Sequence, residues 1–508
     1  MAVPNVASRL NVGDMLTRTA SRTPGALAIV DGDLRLSFAE FNARVNRLAH
    51  GLQFRGYTRG DALAITSANR AEFLVTYYAC AKLGVVAVPT NLGWTANETA
   101  YALTHSGARG VVVERELLDL IGTAAPADVF VVGEPSFDEL SRGGDGGEPI
   151  AHVEDRDPLQ YLYTSGTTSA PKGVVTSHLA TYVESLGGAI DKQLRREERM
   201  ACVMPLFHVA QLNTFCTMLV ATGAASVLMR GFNADTWLDT VERERVTLAF
   251  LLPMMIRELL GRPDIRSRDL SSLRLMIYAM APMPRHELEL ALEVFGCEFA
   301  LSFGQTELSP ETMLHLPERQ LTHIGAVGTA ATNVQVGIMG EAGALLGPGD
   351  VGEIVYRSPQ VLTGYLKDPS ATEEAFRHGW FHSGDLGRMD EDRVVYFIDR
   401  LKDVIKTGGE NVASIEIEEA CFAADPDIAD VAVIGLPHQR WVEAVTAIVM
   451  PKDGCEINLD RLQAQLHERL GGFKAPKAIV SVGELPRTAT GKIQKAALRH
   501  HFIDLYMP

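Results

Sequence analysis

Short apolar runs that alternate with helical segments constrain this chain more than any other feature. Residues 62–66 form a strand-length, mostly apolar run, residues 70–83 carry a helical pattern, and residues 85–89 are again a short apolar run. Parallel strands need a crossover connection, and strands covered on both faces lose the in–out alternation of a half-exposed sheet. This order therefore predicts a parallel α/β sheet with helices on its faces. The same pattern returns at 246–252, 273–278 and 298–303, with helical stretches between them. Ahead of it, the runs 27–30 and up to Leu36 flank Asp31-Gly32, a dipeptide suited to a hairpin turn. Ser37 with Glu40 makes a capping box, and Phe38, Phe41, Val45, Leu48 and Leu52 then recur at helical spacing until Gly56 can end the helix.

From about residue 324 the pattern changes to short strands and turns, at 334–339, 352–357 and 394–398, which predicts a smaller β-rich subdomain. Beyond residue 400 a helix is expected at 414–423, strands at 431–435 and 444–450, a helix at 459–470 and a strand at 478–482: a compact α+β domain. With 508 residues the chain exceeds the roughly 250–300 at which one core stops growing, so at least two domains are expected. The Gly-rich stretch 141–149 has Gly144-x-Gly146 but no third glycine, and reads as a surface linker.

A formal charge of -16 argues against a nucleic-acid or anionic-membrane surface. The six cysteines, at 80, 202, 216, 297, 421 and 455, include no CxxC pair, so they give neither a disulfide framework nor zinc spacing. No apolar run is long enough for a transmembrane segment and no leader pattern opens the chain, so the expected location is cytoplasmic.

The most informative string is Tyr163-Thr-Ser-Gly-Thr-Thr-Ser-Ala-Pro-Lys-Gly-Val174. Hydroxyl residues alternate with glycine after an apolar strand, and a lysine follows. Backbone N–H groups and hydroxyls can cradle phosphate oxygens while Lys172 adds a point charge. It is not a Walker loop, because Pro171 stands where the second glycine must precede the lysine. Composition alone leaves a solvated turn open.

With five further motifs the sequence resembles the adenylate-forming superfamily of acyl-CoA synthetases, peptide-synthetase adenylation domains and firefly-type luciferases. These are Pro205-Leu-Phe-His208, Phe303-Gly-Gln-Thr-Glu307, Ser383-Gly-Asp385, Asp399-Arg-Leu-Lys-Asp403 with Thr407-Gly-Gly-Glu-Asn411, and Pro486-Arg-Thr-Ala-Thr-Gly-Lys492, in the family's order. The resemblance implies a large N-terminal adenylate-forming domain, 1–399, built of α/β sheets plus the β-rich subdomain. A small mobile α+β domain, 400–508, follows it and turns on a hinge near Lys402.

It also implies an ATP- and Mg²⁺-dependent acid–CoA ligase, which activates a carboxylic acid as acyl-AMP and passes it to CoA. The acid is expected to be a medium-length fatty, cyclic or aromatic one. By resemblance, Thr164, Ser165, Gly166, Thr167, Thr168 and Lys172 hold the β- and γ-phosphates. Ser302, Phe303, Gly304, Gln305 and Thr306 line the nucleotide, with Phe303 and Ala281 flanking adenine, and Glu307 ligates the metal. Asp385 and Arg400 meet the ribose hydroxyls. Lys492 is the adenylation lysine, and Gly408 and Gly409 pass the pantetheine of CoA.

His208 marks the acyl-CoA synthetase form, since adenylation domains of peptide synthetases usually carry Phe-Asp in this segment. Four departures from the family pattern stand out: Ser169 in the loop, Phe303 for tyrosine, and Gln211 and Met280 where glycine is common. The last two add polarity and bulk beside the acyl channel and weigh against a long straight chain. Two other readings share the motifs: a ligase loading a carrier-protein pantetheine, and a non-catalytic nucleotide- or acyl-binding homologue, which would be expected to lack Lys492 or Glu307. The sequence leaves the oligomeric state open, a homodimer included.

Overall fold

The computed structural model describes residues 5–164, 171–487 and 493–506. Its contacts divide the chain into two compact units, Met1–Val336 with Tyr356–Phe381, and Gly337–Val355 with His382–Pro508.

The first unit holds two large sheets among its described residues. In one, Ala62–Thr66 runs parallel to both Val86–Pro89 and Ala108–Val113, and its five residues are all buried. That sheet continues through Pro158–Thr164 to Lys172–Ser177, which pair antiparallel with Thr164 opposite Lys172. The two ends of the Ser/Thr/Gly loop are thereby set side by side. In the other sheet, Leu248–Leu251, Leu275–Tyr278 and Glu298–Gly304 are parallel neighbours, and Glu311–His315 returns antiparallel beside the last. The α/β pattern read from the sequence is thus the observed architecture.

Local details follow the chemistry of the residues. The Ser37–Glu40 capping box is formed and opens the helix Phe38–Phe54, and Gly56, at φ +79°, lies just beyond its end. The hairpin before it turns one residue later than expected. Asp31 pairs with Leu34, so Gly32-Asp33 makes the turn, with Gly32 at φ +57°. The stretch 141–149 is pinned rather than a free linker: Glu148 meets the buried Lys82 Nζ at 2.5 Å and accepts from Asn42 at 2.6 Å. A buried ammonium needs such partners, and Lys82 also donates to Thr17, Asn42 and Asn46.

In the second unit, Ile428–His438 pairs antiparallel with Val442–Pro451, and Ala478–Ser481 runs parallel beside the latter. Side chains alternate between two cores, as a strand covered on both faces requires. Val431 and Val433 join Ile417, Cys421, Leu462 and Leu466, whereas Ala432, Ile434 and Leu436 join Leu485 and Leu498. A four-stranded sheet of Gln335–Met339, Val351–Arg357, Phe381–Met389 and Val395–Arg400 gives most of its residues to this unit as well. Contact density therefore groups the β-rich segment with the C-terminal residues, whereas the boundary expected at 399/400 concerns rotation, a different property.

Candidate active site

In the first unit the strand Glu298–Gly304 carries Ser302, Phe303 and Gly304 to its C-terminal end, and Thr306–Leu308 forms a single 3₁₀ turn there. Gly304 is obligatory: a Cβ on it would lie 1.9 Å from the Pro310 carbonyl oxygen. Glu307 Oε1 accepts from the Tyr365 hydroxyl at 3.1 Å, and Lys172 Nζ sits 4.9 Å from the centre of the Tyr365 ring. Burial, with the Glu307 carboxylate next in weight, raises the Tyr365 phenol above its ordinary range, so it stays a proton donor. A cation, a phenol and a carboxylate are thus gathered where the Ser/Thr/Gly loop leaves and rejoins its sheet. Ser165, Gly166, Thr167 and Thr168 lie outside the described residues.

His208 follows the Pro-Leu-Phe turn, which Asn69 holds by donating to the carbonyls of Cys202 and Met204 and accepting from Leu206 N–H. Burial pushes the His208 imidazole down to about 4. At neutral pH it is uncharged, and Ala210 N–H donates to Nδ1 at 3.3 Å, which leaves the ring proton on Nε2. The next segment, Ala210–Thr217, is a π-helix, a rare conformation concentrated at functional sites. It buries Gln211 completely, with Oε1 lacking a hydrogen-bond partner among the described residues. Met280 and Ala281 lie in the turn after Leu275–Tyr278. Met280 is 53% exposed and sits at φ +83°.

Beneath Ser302 lies a polar cluster that the sequence reading missed. Lys192 Nζ is 2.5 Å from Glu311 Oε1, and Ser302 Oγ donates to Glu311 Oε2 at 2.5 Å. Glu184 and Glu311 line one narrow crevice with no room for a water molecule, together with Gly187, Gly188, Asp191 and Asn333. Burial pushes the Glu184 carboxyl well above the usual carboxylate range, against the pull of Lys192 and Thr214.

In the second unit Asp385 and Arg400 are paired across the antiparallel strands Phe381–Met389 and Val395–Arg400, with Arg400 Nε 2.7 Å from Asp385 Oδ1. Ser383 Oγ fixes the strand by donating to Ile354 O at 2.5 Å and accepting from Asp385 N–H at 3.0 Å. Asp399 Oδ2 accepts from the backbone N–H and hydroxyl of Ser414, and Lys495 donates to the same hydroxyl. Lys402 lies in the exposed turn that follows. Gly408 and Gly409, at φ +61° and +90°, form the two-residue turn between Ile405–Thr407 and Glu410–Val412, a geometry that itself calls for glycine. Lys492 lies outside the described residues, and the residues flanking its segment, Arg487 and Ile493, form an isolated antiparallel bridge.

In the first unit, Lys172, Tyr365 and Glu307 stand together beside the end of the strand Pro158–Thr164, a grouping of cation, phenol and carboxylate suited to a phosphate-bearing ligand. The AMP-binding enzyme family model matches residues 16–366 and the AMP-binding enzyme C-terminal domain matches residues 416–492, so the chain belongs to the AMP-binding, adenylate-forming enzymes. It is 35% identical to a feruloyl-CoA synthase of an Amycolatopsis species, over 97% of this chain and 99% of that one. It is 34% identical to an indoleacetate–CoA ligase of Aromatoleum aromaticum, over 96% and 98%. The ATP-bound structure of MatB from Rhodopseudomonas palustris superposes with a TM-score of 0.92, at 29% identity over 98% of this chain and all of that one. The chain is an AMP-forming acid–CoA ligase that uses ATP and CoA. No helix among the described residues is long and apolar enough to cross a membrane.

Proposed function

We propose that Lys172, Thr164 and the loop between them hold the ATP phosphates, that Thr306 and Glu307 stand at the reacting phosphate, and that Asp385 and Arg400 bind the ribose. The observation that carries this reading is the grouping of Lys172, Tyr365 and Glu307 at one end of the sheet. Phe303 and Ala281 flank adenine, with Ser302, Gly304 and Gln305 as backbone and polar lining. The acid's carboxylate oxygen attacks the α-phosphorus of ATP, the bond to pyrophosphate breaks, and the CoA thiolate then displaces AMP from the acyl carbon. Negative charge develops at the phosphorus in the first step, and Lys492 supplies the donor that meets it. For this it is carried in by rotation about Lys402, which also brings Gly408 and Gly409 past the pantetheine.

The hard oxygen donors at Glu307 and Thr306 suit Mg²⁺, which when bound offsets phosphate charge. Neutral His208 borders the acid, together with Gln211 and Met280. The buried polarity of Gln211 favours a medium-length, cyclic or aromatic acid over a long alkyl chain. All six cysteines are unpaired, in keeping with a reducing, cytoplasmic setting.

A panel of carboxylic acids assayed for pyrophosphate release, with CoA and with a carrier-protein pantetheine as alternative acceptors, tests this reading. Lys492→Ala is expected to slow adenylate formation by roughly 10²–10³-fold, as for one lost transition-state donor. Thioester formation from supplied acyl-adenylate should be largely spared, and equal loss in both steps removes Lys492 from its role.

A further inference from the structure

The turn that presents His208 is held from the other large sheet of its unit. Asn69 is buried just beyond the end of Ala62–Thr66, whereas the strand Arg199–Cys202, which leads into Pro205-Leu-Phe-His208, belongs to the sheet of Leu248–Leu251 and Leu275–Tyr278. Asn69 Nδ2 donates to Cys202 O at 3.1 Å and to Met204 O at 2.8 Å, and Oδ1 accepts from Leu206 N–H at 2.7 Å. Among side chains this short, only asparagine offers two N–H donors and a carbonyl oxygen. The three bonds grip the chain on both sides of Pro205.

The loop that carries Asn69 is itself anchored. Buried Glu114, directly after Ala108–Val113, accepts from the Ser67 hydroxyl at 2.8 Å and from Ala68 N–H at 2.7 Å, while its other carboxylate oxygen meets Arg230 at 2.6 Å. On the far side of Asn69, Ala71 N–H donates to Asp31 Oδ2 at 2.9 Å. Asp31 ends the strand Leu27–Asp31 and Arg230 stands just past Ala225–Leu228, both in the sheet that leads to His208. Residues 67–71 therefore tie the strand ends of the two sheets together, and Asn69 is the member that reaches the His208 turn.

The His208 N–H donates back to Pro205 O at 3.0 Å, so the backbone at His208 is placed by the turn that Asn69 bonds. Ala210 N–H on Nδ1 leaves the single ring proton at Nε2. A neutral imidazole with one donor serves a ligand only when that donor is aimed, and a displacement of about 1 Å at a positioned group can cost on the order of a hundredfold in rate. We infer that Asn69, with Glu114 behind it, is a positioning residue for the acid: it sets the place from which His208 Nε2–H donates to that substrate. This rests on the reading that His208 borders the acid. A role confined to joining the two sheets would cost stability and leave the recognition of acid relative to ATP unchanged.

The test is a double-mutant cycle on the full-length enzyme, wild type, Asn69→Ala, His208→Ala and both together. KM for the acid and KM for ATP are measured by pyrophosphate release with CoA present, using whichever of ferulic, indoleacetic and octanoic acids wild type turns over best. Neither constant depends on how much of a preparation is folded. Asn69→Ala is expected to raise KM for the acid by about tenfold, as for one lost hydrogen bond to a charged group, with KM for ATP nearly unchanged. In the His208→Ala background the same substitution should add less than about twofold, because both changes remove one interaction. Glu114→Ala replaces Asn69→Ala in the cycle if the latter cannot be purified, and Glu114→Gln, which keeps an acceptor for Ser67 and Ala68, should stay close to wild type. An unchanged KM for the acid in Asn69→Ala, an equal rise in both constants, or the same rise with and without His208 overturns the inference. If that happens while His208→Ala alone raises KM for the acid, the placement of His208 beside the acid stands and only the role of Asn69 falls. If His208→Ala leaves KM for the acid unchanged, or wild type turns over none of the acids, both fall.

Discussion

Lys192–Glu311 and Asp385–Arg400 are both short ion pairs, at 2.5 Å and 2.7 Å. In the first, both side chains are buried and their residues are 119 positions apart. In the second, Arg400 is about one-third exposed and the partners face each other across neighbouring strands. The energetic consequences differ. A buried pair recovers its desolvation only while both partners are present, so Lys192–Glu311 acts as a fixed clamp on Ser302 and the strand Glu298–Gly304 that carries it. A pair with one solvated partner is held weakly, and in the proposed ribose-binding role it would exchange its internal contact for ligand hydroxyls. One pair is locked in the interior of its unit and the other is open to solvent.

The largest effect that tests this contrast is on stability. Lys192→Met leaves Glu311 charged and unpaired in the interior, at an expected cost of about 3–5 kcal/mol in chemical denaturation. Removing Glu311 as well, in Lys192→Met with Glu311→Leu, should restore much of it, because two apolar side chains carry no stranded charge. A single variant as stable as wild type would mean that the clamp does not exist.

Arg400→Met reverses the balance between the two readouts. Its cost in stability is expected to be about 1 kcal/mol or less, whereas kcat/KM for ATP should fall by about tenfold, the value of roughly one lost hydrogen bond to a charged group. A large stability loss with ATP use unchanged would make Arg400 a second clamp and erase the difference between the pairs.

The third carboxyl near the buried pair gives a pH signature. Glu184 has its pKa raised on folding, so the folded protein holds a proton that the unfolded chain releases above the ordinary glutamate range. Stability from this group is complete below that range and declines as pH rises. Glu184→Gln removes the linkage. Compared with wild type it should gain stability progressively from about pH 4.5 toward pH 8, as read by thermal unfolding midpoints. Two buried histidines act in the opposite direction: His178 and His208 are both pushed down to about 4 by burial, so their contribution is lost as pH falls from the ordinary histidine range toward 4. Parallel curves for variant and wild type across this range would show that Glu184 is ionised in the fold.

What could be read from the sequence follows the same divide. Phe303 to Glu307 is contiguous, and Asp385 and Arg400 belong to a hairpin whose two motifs stand fifteen residues apart, so their residue types and order were informative before any packing was known. Glu184 and Lys192 lie on and at the end of one helix, more than a hundred residues before Glu311, and an isolated charged residue is read as a solvated one until burial is seen. Tyr365 and Asn69 escaped for the same reason, since one depends on a two-residue strand pairing with Lys172–Ser177 and the other on a contact across more than a hundred residues. Periodicity gave the parallel sheets, but it could not tell that the 141–149 stretch is fastened by Lys82, because that fastening is a tertiary contact.

Met280 carries the smallest expected effect and tests whether bulk or polarity sets the choice of acid. Expected from sequence to narrow the acyl channel, it stands in a turn, half-exposed and so more open than Arg400, rather than enclosed like Glu311. Its φ of +83° lies in the left-handed region, where a side chain other than glycine costs about 1 kcal/mol. Met280→Gly should relieve that strain and raise the unfolding free energy by about 0.5–1 kcal/mol, less the added flexibility of glycine in the unfolded chain. A half-exposed, unbranched side chain can swing aside, so the gain for longer acids should be well below the roughly 0.8 kcal/mol per methylene of full burial. A chain-length series on both proteins measures it. A profile displaced by several methylenes would place Met280 in the limiting wall and make bulk the selector, whereas a profile within about twofold of wild type leaves selection to the buried polarity at Gln211.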